Sequence, residues 1–353
     1  MSNPSSRTQE QTPSSTHKLA APLPRVTPDR LDYVDTTKGI GIILVVFGHM
    51  LINHQDRISD RLFDFIYLFH MPLFFAVSGY LFKPEKYDSL VKLAKARTAS
   101  LLLPYLIFTF FSVALFLPQA HRVTPIMMDI IMARRQQMPF NEALWFLPAL
   151  FIVEIGFYVA RKALRLPTLI IISAIAISYL GYPHTSKPQL FWSADAAAYY
   201  VLFYCIGFHL ARINLSKIPK SVWTAIFVSA ALLLTAGFLV SEKIPDYYHV
   251  ISMYYPHRFL LFSGIAIAGS IATVGLGVLL SNYKPLASVG RNSLLILGLH
   301  IPIRFLVIEP LVIRAQLEIP VQQNNLGLFY FTVVCIVLVP TVHLFKKIMT
   351  NLR

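Results

Sequence analysis

Charge is scarce in this chain and acid is scarcer: 14% of the 353 residues are charged, with 17 Asp and Glu against 31 Lys and Arg. Soluble domains carry about 25% charged residues, so an ordinary water-exposed globular fold is excluded. Cysteine is almost missing. Cys205 and Cys335 both fall in apolar runs, which leaves no disulfide framework and no metal-ligand spacing; both are expected as small buried apolar residues. There is no Gly-x-Ser-x-Gly elbow, Walker loop, dinucleotide fingerprint or His-Glu-x-x-His zinc site, so the soluble folds built on those motifs are not indicated. The longest connections between apolar runs, near residues 119–142 and 241–258, are too short to hold a soluble catalytic domain. No internal repeat is visible, which weakens an inverted-repeat transporter.

What the chain does have is apolar length. Hydrophobic residues make up 56% of it, and runs of about 20 apolar residues span a bilayer. Ten such runs begin near residues 38, 62, 99, 143, 167, 196, 221, 259, 286 and 325, those near 167 and 196 being the shortest or most interrupted. The fold expected is all-α, a polytopic membrane helical bundle of about ten transmembrane helices. The formal charge of +14 is spread through the connections rather than over one face, so it argues for topology and not for nucleic acid. With the N-terminus inside, 20 Lys and Arg fall in inner segments and 9 in outer ones, which places both termini in the cytoplasm. Residues 1–30, rich in Ser, Thr, Pro and Gln, are expected as a disordered cytoplasmic tail, and 31–353 as the transmembrane domain. No small-residue cleavage site precedes Lys38, so the first span is expected to serve as an uncleaved insertion signal.

Ionisable residues inside spans are costly and tend to be functional. Lys38 and His49 lie eleven residues apart, close to three turns, and so share one face of the first span with about 16 Å of rise between them. His70 sits at a similar depth on the next span, where Pro72 is expected to bend the helix. A short connection makes the two spans neighbours, so both imidazoles can face one cavity. A neutral imidazole there suits a general base; the structural alternative is a pair that only hydrogen-bonds between helices. Lys38 also admits a plain reading, an inner-boundary lysine paired with Asp35. The next inner segment concentrates Lys83, Lys86, Lys92, Lys95 and Arg97, which could bind a phosphorylated cofactor or simply be solvated. Further cavity candidates are Glu154, the only acid well inside a predicted span, Arg291, and His300 in His300-Ile301-Pro302 ahead of Arg304. Ser78 lacks the strand-turn-helix setting of a nucleophile and stands only as a lining candidate. Trp145 is expected in the outer aromatic belt.

With those residues in hand, the chain resembles the membrane acyltransferase 3 family, and in particular its branch similar to fucose 4-O-acetylases. The resemblance lies in Asp35-Thr36-Thr37-Lys38-Gly39-Ile40-Gly41-Ile42 running on to Gly48-His49, and in Phe69-His70-Met71-Pro72-Leu73-Phe74-Phe75 with Ser78-Gly79-Tyr80. Leu103-Pro104-Tyr105, Trp145-Phe146-Leu147 and Ser293 to His300 add weaker support. The resemblance implies a ten-span bacterial inner-membrane enzyme that takes an acyl group, usually acetyl, from cytoplasmic acyl-CoA and places it on a sugar hydroxyl of an exported glycan. It implies cofactor contact for Lys38 and acyl-transfer chemistry for His49. Some members have Arg-x-x-Arg before Leu-Pro-Tyr; this chain has Arg97-Thr98-Ala99-Ser100, so phosphate contacts there would pass to Lys92 or Lys95.

The expectation is therefore acetyl-CoA as co-substrate, no metal, a glycan or lipid-linked glycan as acceptor and lipid all around. His49 is the principal base with His70 in support, and Lys38 with Arg97, Lys95 and Lys92 meets the CoA phosphates. Direct transfer and an acyl-histidine relay both remain open. The rival class is an exporter of an anionic metabolite that uses the buried histidines for proton coupling.

Overall fold

A computed structural model describes residues 32–51, 57–116, 123–134, 141–164, 166–182, 190–213, 215–241 and 258–308, with parts of 310–342. The expected tail at 1–30, most of the expected outer segment at 241–258 and most of the tenth expected span lie outside the described residues.

Every regular element among the described residues is helical. In chain order these are α1 (Asp32–Leu51), α2 (Arg57–Tyr67), α3 (His70–Leu81), α4 (Leu90–Arg97), α5 (Leu103–Phe116), α6 (Val123–Met132), α7 (Phe146–Ala163), α8 (Pro167–Gly181), α9 (Ala194–Leu210), α10 (Lys220–Ser241), α11 (Phe259–Leu279), α12 (Lys284–Arg291) and α13 (Ser293–Ile303). A π-turn, Thr98–Leu102, joins α4 to α5, and a second, Arg304–Ile308, follows α13.

Among the described residues, six stretches are long and apolar enough to cross a membrane: Asp32–Leu51, Ile58–Leu81, Leu90–Phe116, Glu142–Ala163, Lys220–Ser241 and Phe259–Leu279. A seventh arises if α12 and the α13 stretch, bent by 76° where they meet, count as one span. The two weak runs of the sequence come out shorter, α8 with 15 residues and α9 with 17. Leu180, Leu232, Leu233 and Leu260 are each more than 60% exposed, as side chains facing lipid tails would be. The segment 119–142, expected as a connection, contains α6.

The second span breaks where proline chemistry predicts. Pro72 has no N–H for the carbonyl four residues back, at Leu68, and the chain leaves helical geometry at Leu68–Phe69, with Phe69 at φ −137°. α2 and α3 are the two limbs of that break.

Close crossings through glycine bring α3 onto α9 and α1 onto α12. A Cβ on Gly79 of α3 would overlap the Tyr204 carbonyl of α9, and one on Gly207 of α9 would overlap the Ala76 carbonyl of α3. Gly39 of α1 meets the Leu286 carbonyl of α12, and Gly290 of α12 meets the Asp35 carbonyl of α1, in the same manner. In lipid, where apolar surface drives no helix association, such small-residue contacts let backbones pack directly. Trp145 corrects its expected place in a surface belt: it is 6% exposed, with its ring 5.8 Å from that of Tyr200.

Candidate functional site

α1 and α3 run antiparallel, as three contacts along their length show. The Tyr33 and Tyr80 hydroxyls are 2.5 Å apart, Gly41 packs on Leu73 and Phe74, and Gly48 packs on Tyr67 just before α3. This geometry gives the bundle a cation end around Lys38 and a histidine end around His49.

At the histidine end, α1, the α2–α3 break and α13 meet. The His49 ring, half-buried, lies 5.2 Å from the His300 ring and 6.2 Å from the Tyr67 ring, centroid to centroid. Tyr67 in turn lies 4.5 Å from His70. His49 and His70 thus share one cluster as expected, but the Tyr67 ring touches both, and the imidazole in contact with His49 belongs to His300.

Two of the tautomers follow from partners. His70 Nδ1 is 2.9 Å from the Ile66 carbonyl, and His300 Nδ1 is 2.9 and 3.0 Å from the Ile296 and Leu297 carbonyls. A carbonyl oxygen only accepts, so in both rings Nδ1 carries a proton, and in the neutral ring Nε2 keeps its lone pair. Arg304 Nη1 donates to the His49 carbonyl at 2.6 Å, tying the end of α1 to the turn after α13.

α13 carries another proline near its end. Pro302 cannot donate to the carbonyl four residues back, at Gly298. Asn141, fully buried, donates to that carbonyl from Nδ2 at 2.9 Å. The freed acceptor is thereby satisfied by a side chain from just ahead of α7.

The cation end holds Lys38, whose Nζ is 3.7 Å from Asp35, and Arg291, 4.0 Å from the same carboxylate. Both cations thus share the Asp35 carboxylate. Tyr80 lies at this end too, and Phe82, two residues on, faces the Arg97 guanidinium at 5.7 Å, so the loop after α3 belongs with it. Arg97 forms an ion pair with the buried Glu154 of α7 and also lies 5.8 Å from the Tyr87 ring. Lys92 is exposed and bonded to Asp88 at 2.6 Å; Asp88, just outside the span, has its carboxyl held below its ordinary value by that ammonium. Lys95 is exposed and makes no ion pair among the described residues. Ser78 is half-buried on α3, about 12 Å of rise from His70. Among the described residues, no three His, Cys, Asp or Glu side chains converge as a metal site.

A family model described as an acyltransferase domain matches residues 31–344, nearly the whole chain. The chain belongs to the acyltransferase 3 family. Within curated proteins, this family member is 30% identical over 258 residues to the nodulation protein NolL of Mesorhizobium japonicum. That match covers 67% of the chain and 65% of the relative, so it spans somewhat less than two thirds of NolL. It is also 54% identical to NolL of Sinorhizobium fredii over 52 residues, 13% of the chain and 14% of that protein. No solved structure matches.

For this acyltransferase 3 member the structure adds Tyr67 and Asn141 to the residues found in the sequence, and gives Arg304 its partner, the His49 carbonyl. Tyr67 precedes His70 by three residues, so helical spacing held the signal although the break falls between them. Asn141 stands apart from every motif and gave no local signal.

Proposed function

We propose that the chain is a membrane O-acyltransferase that moves an acyl group, acetyl in the first instance, from cytoplasmic acyl-CoA to a sugar hydroxyl of an exported glycan, with the bacterial inner membrane as its place. One observation carries the proposal. Lys38, which shares the Asp35 carboxylate with Arg291 of α12, and His49, whose ring meets that of His300 of α13, stand on one unbroken helix, about 16 Å apart along its axis. That rise suits a cofactor whose diphosphate stays at the membrane surface while its thioester reaches into the bilayer.

In this reading Lys38 meets the CoA phosphates, with Lys95, Lys92 and Arg97 as the further cations of the same surface. Lys95 is the freest of these three, since Lys92 and Arg97 already hold carboxylates. His49 takes the proton of the acceptor hydroxyl as its oxygen attacks the thioester, and gives a proton to the departing thiolate. His70 supports through Tyr67. Asp35 sets the charge beside Lys38, while Ser78, Glu154 and Arg291 stand around the path rather than at the reacting atoms.

The test is acetyl-CoA-dependent CoA release by membranes holding the wild type, with envelope glycan supplied, against His49→Ala at matched expression. Loss of release in a variant that still inserts supports the reading; full activity in that variant refutes it. Release with succinyl-CoA alone would change the donor. Anion flux without acyl-CoA consumption would replace the enzyme by an exporter.

A further inference from the structure

His300 has a feature that the reading above does not use. Because Nδ1 is bonded to the Ile296 and Leu297 carbonyls, Nε2 is the acceptor edge of the ring. His300 is 0% exposed, and Nε2 is buried with no hydrogen-bond partner among the described residues. Buried acceptors of this kind are rare and unfavourable unless something arrives to bond them. The ring in contact with this one is that of His49, 5.2 Å away.

Resting on the acyltransferase reading, we infer that His300 is the positioning residue of the His49 base. Neutral His49 has one N–H; once it has taken the proton of the acceptor hydroxyl it has two. One nitrogen faces the reacting oxygen, and the N–H on the other turns to His300 Nε2, which is fixed as an acceptor before the reaction starts. His300 thus holds the imidazolium in register, the task a carboxylate performs in hydrolytic triads. The atoms balance without any net change at His300. The acceptor oxygen forms its bond to the acyl carbon, the thioester C–S bond breaks, and the proton held on His49 passes to the thiolate sulfur to give free CoA.

The placement of His300 is secured from outside α13. Pro302 leaves the Gly298 carbonyl without its helical donor, and Asn141 Nδ2 supplies one at 2.9 Å, also lying 3.4 Å from Ser112 Oγ. Loss of that bond would free the helix turn that carries His300. Among the described residues, the other polar and charged groups beside the imidazole pair are Tyr67, His70 and Arg304, so a change in proton affinity at His49 is read against that set.

The experiment compares wild type, His49→Ala, His300→Ala and His300→Gln, full-length in membranes at matched levels, by acetyl-CoA-dependent CoA release over a range of pH. His300→Ala is expected to lower kcat about 100-fold or more, with KM for acetyl-CoA nearly unchanged, and to displace the acid limb of the pH profile. Gln retains an accepting amide oxygen, so His300→Gln should recover roughly 10-fold of the loss. Wild-type kcat and an unmoved acid limb in His300→Ala would overturn the inference, as would a Gln variant no better than Ala when both insert normally. If the Ala variant does not insert, His300→Gln decides alone: a displaced limb with reduced kcat supports the role, and wild-type values refute it. Silence of the wild type itself, or full activity of His49→Ala, would instead strike the acyltransferase reading, and this inference with it.

Discussion

Arg97 is expected from the sequence to hold a CoA phosphate, yet in the structure its guanidinium is paired with Glu154, and the two roles make opposite predictions. Side-chain exposure is 22% for Arg97 and 4% for Glu154, so the pair is shielded from water and its partners depend on one another. Removing either partner leaves the other charge buried and unpaired, a loss of about 3–5 kcal/mol. Removing both in Arg97→Met/Glu154→Leu replaces the pair by apolar groups of similar size, which is often close to neutral. The expected coupling between the two sites is therefore at least ~3 kcal/mol. Resistance to thermal unfolding in detergent measures it across wild type, both single variants and the double. The KM for acyl-CoA is read on the same four proteins. A stable double variant with unchanged KM shows Arg97 to be a strut between α4 and α7. A stable double variant with KM raised tenfold or more, about 1.4 kcal/mol, shows it to touch the cofactor as well. Single variants as stable as wild type would refute the account of the pair altogether.

Three further perturbations follow from particular contacts. Pro302→Ala restores an N–H to the Gly298 carbonyl that Asn141 now bonds, so Pro302→Ala should relieve most of the activity lost in Asn141→Ala; additive losses in CoA release would break that link. Gly207→Val should abolish folded protein in detergent, since its Cβ would enter the Ala76 carbonyl, whereas Gly156→Ala, with open space around it, should leave the unfolding midpoint unchanged or slightly higher. Arg304→Met removes the donor to the His49 carbonyl and should cost about 1.5–3 kcal/mol of stability, visible as a lower unfolding midpoint; an unchanged midpoint would make that bond dispensable.

The parts legible in the sequence are those governed by local spacing. Lys38 and His49 share a helix face because eleven residues make three turns, and Pro72 breaks the second span because its ring cannot serve the carbonyl at Leu68. Asp35 against Lys38 is likewise a spacing of three residues. What spacing cannot carry is contact between distant helices. His300 meets His49 across 251 positions, and Arg304 reaches the His49 carbonyl across 255, because glycines at 39 and 290 let α1 and α12 touch and the 76° bend then turns α13 toward the end of α1. Glu154 reads as an orphan acid in the sequence because its partner lies 57 residues earlier, on a helix whose charge run suggests an open basic face. Trp145 departs from its expected place for a related reason: composition puts tryptophan at interfaces, while packing against Tyr200 draws this one inward. In each case, a polar or aromatic side chain in a medium without water has to find its partner inside the protein, and the nearest partner in space is seldom the nearest in sequence. The histidine end is the clearest result of that rule: it is assembled from four helices, α1, α2, α3 and α13, none of which carries it alone.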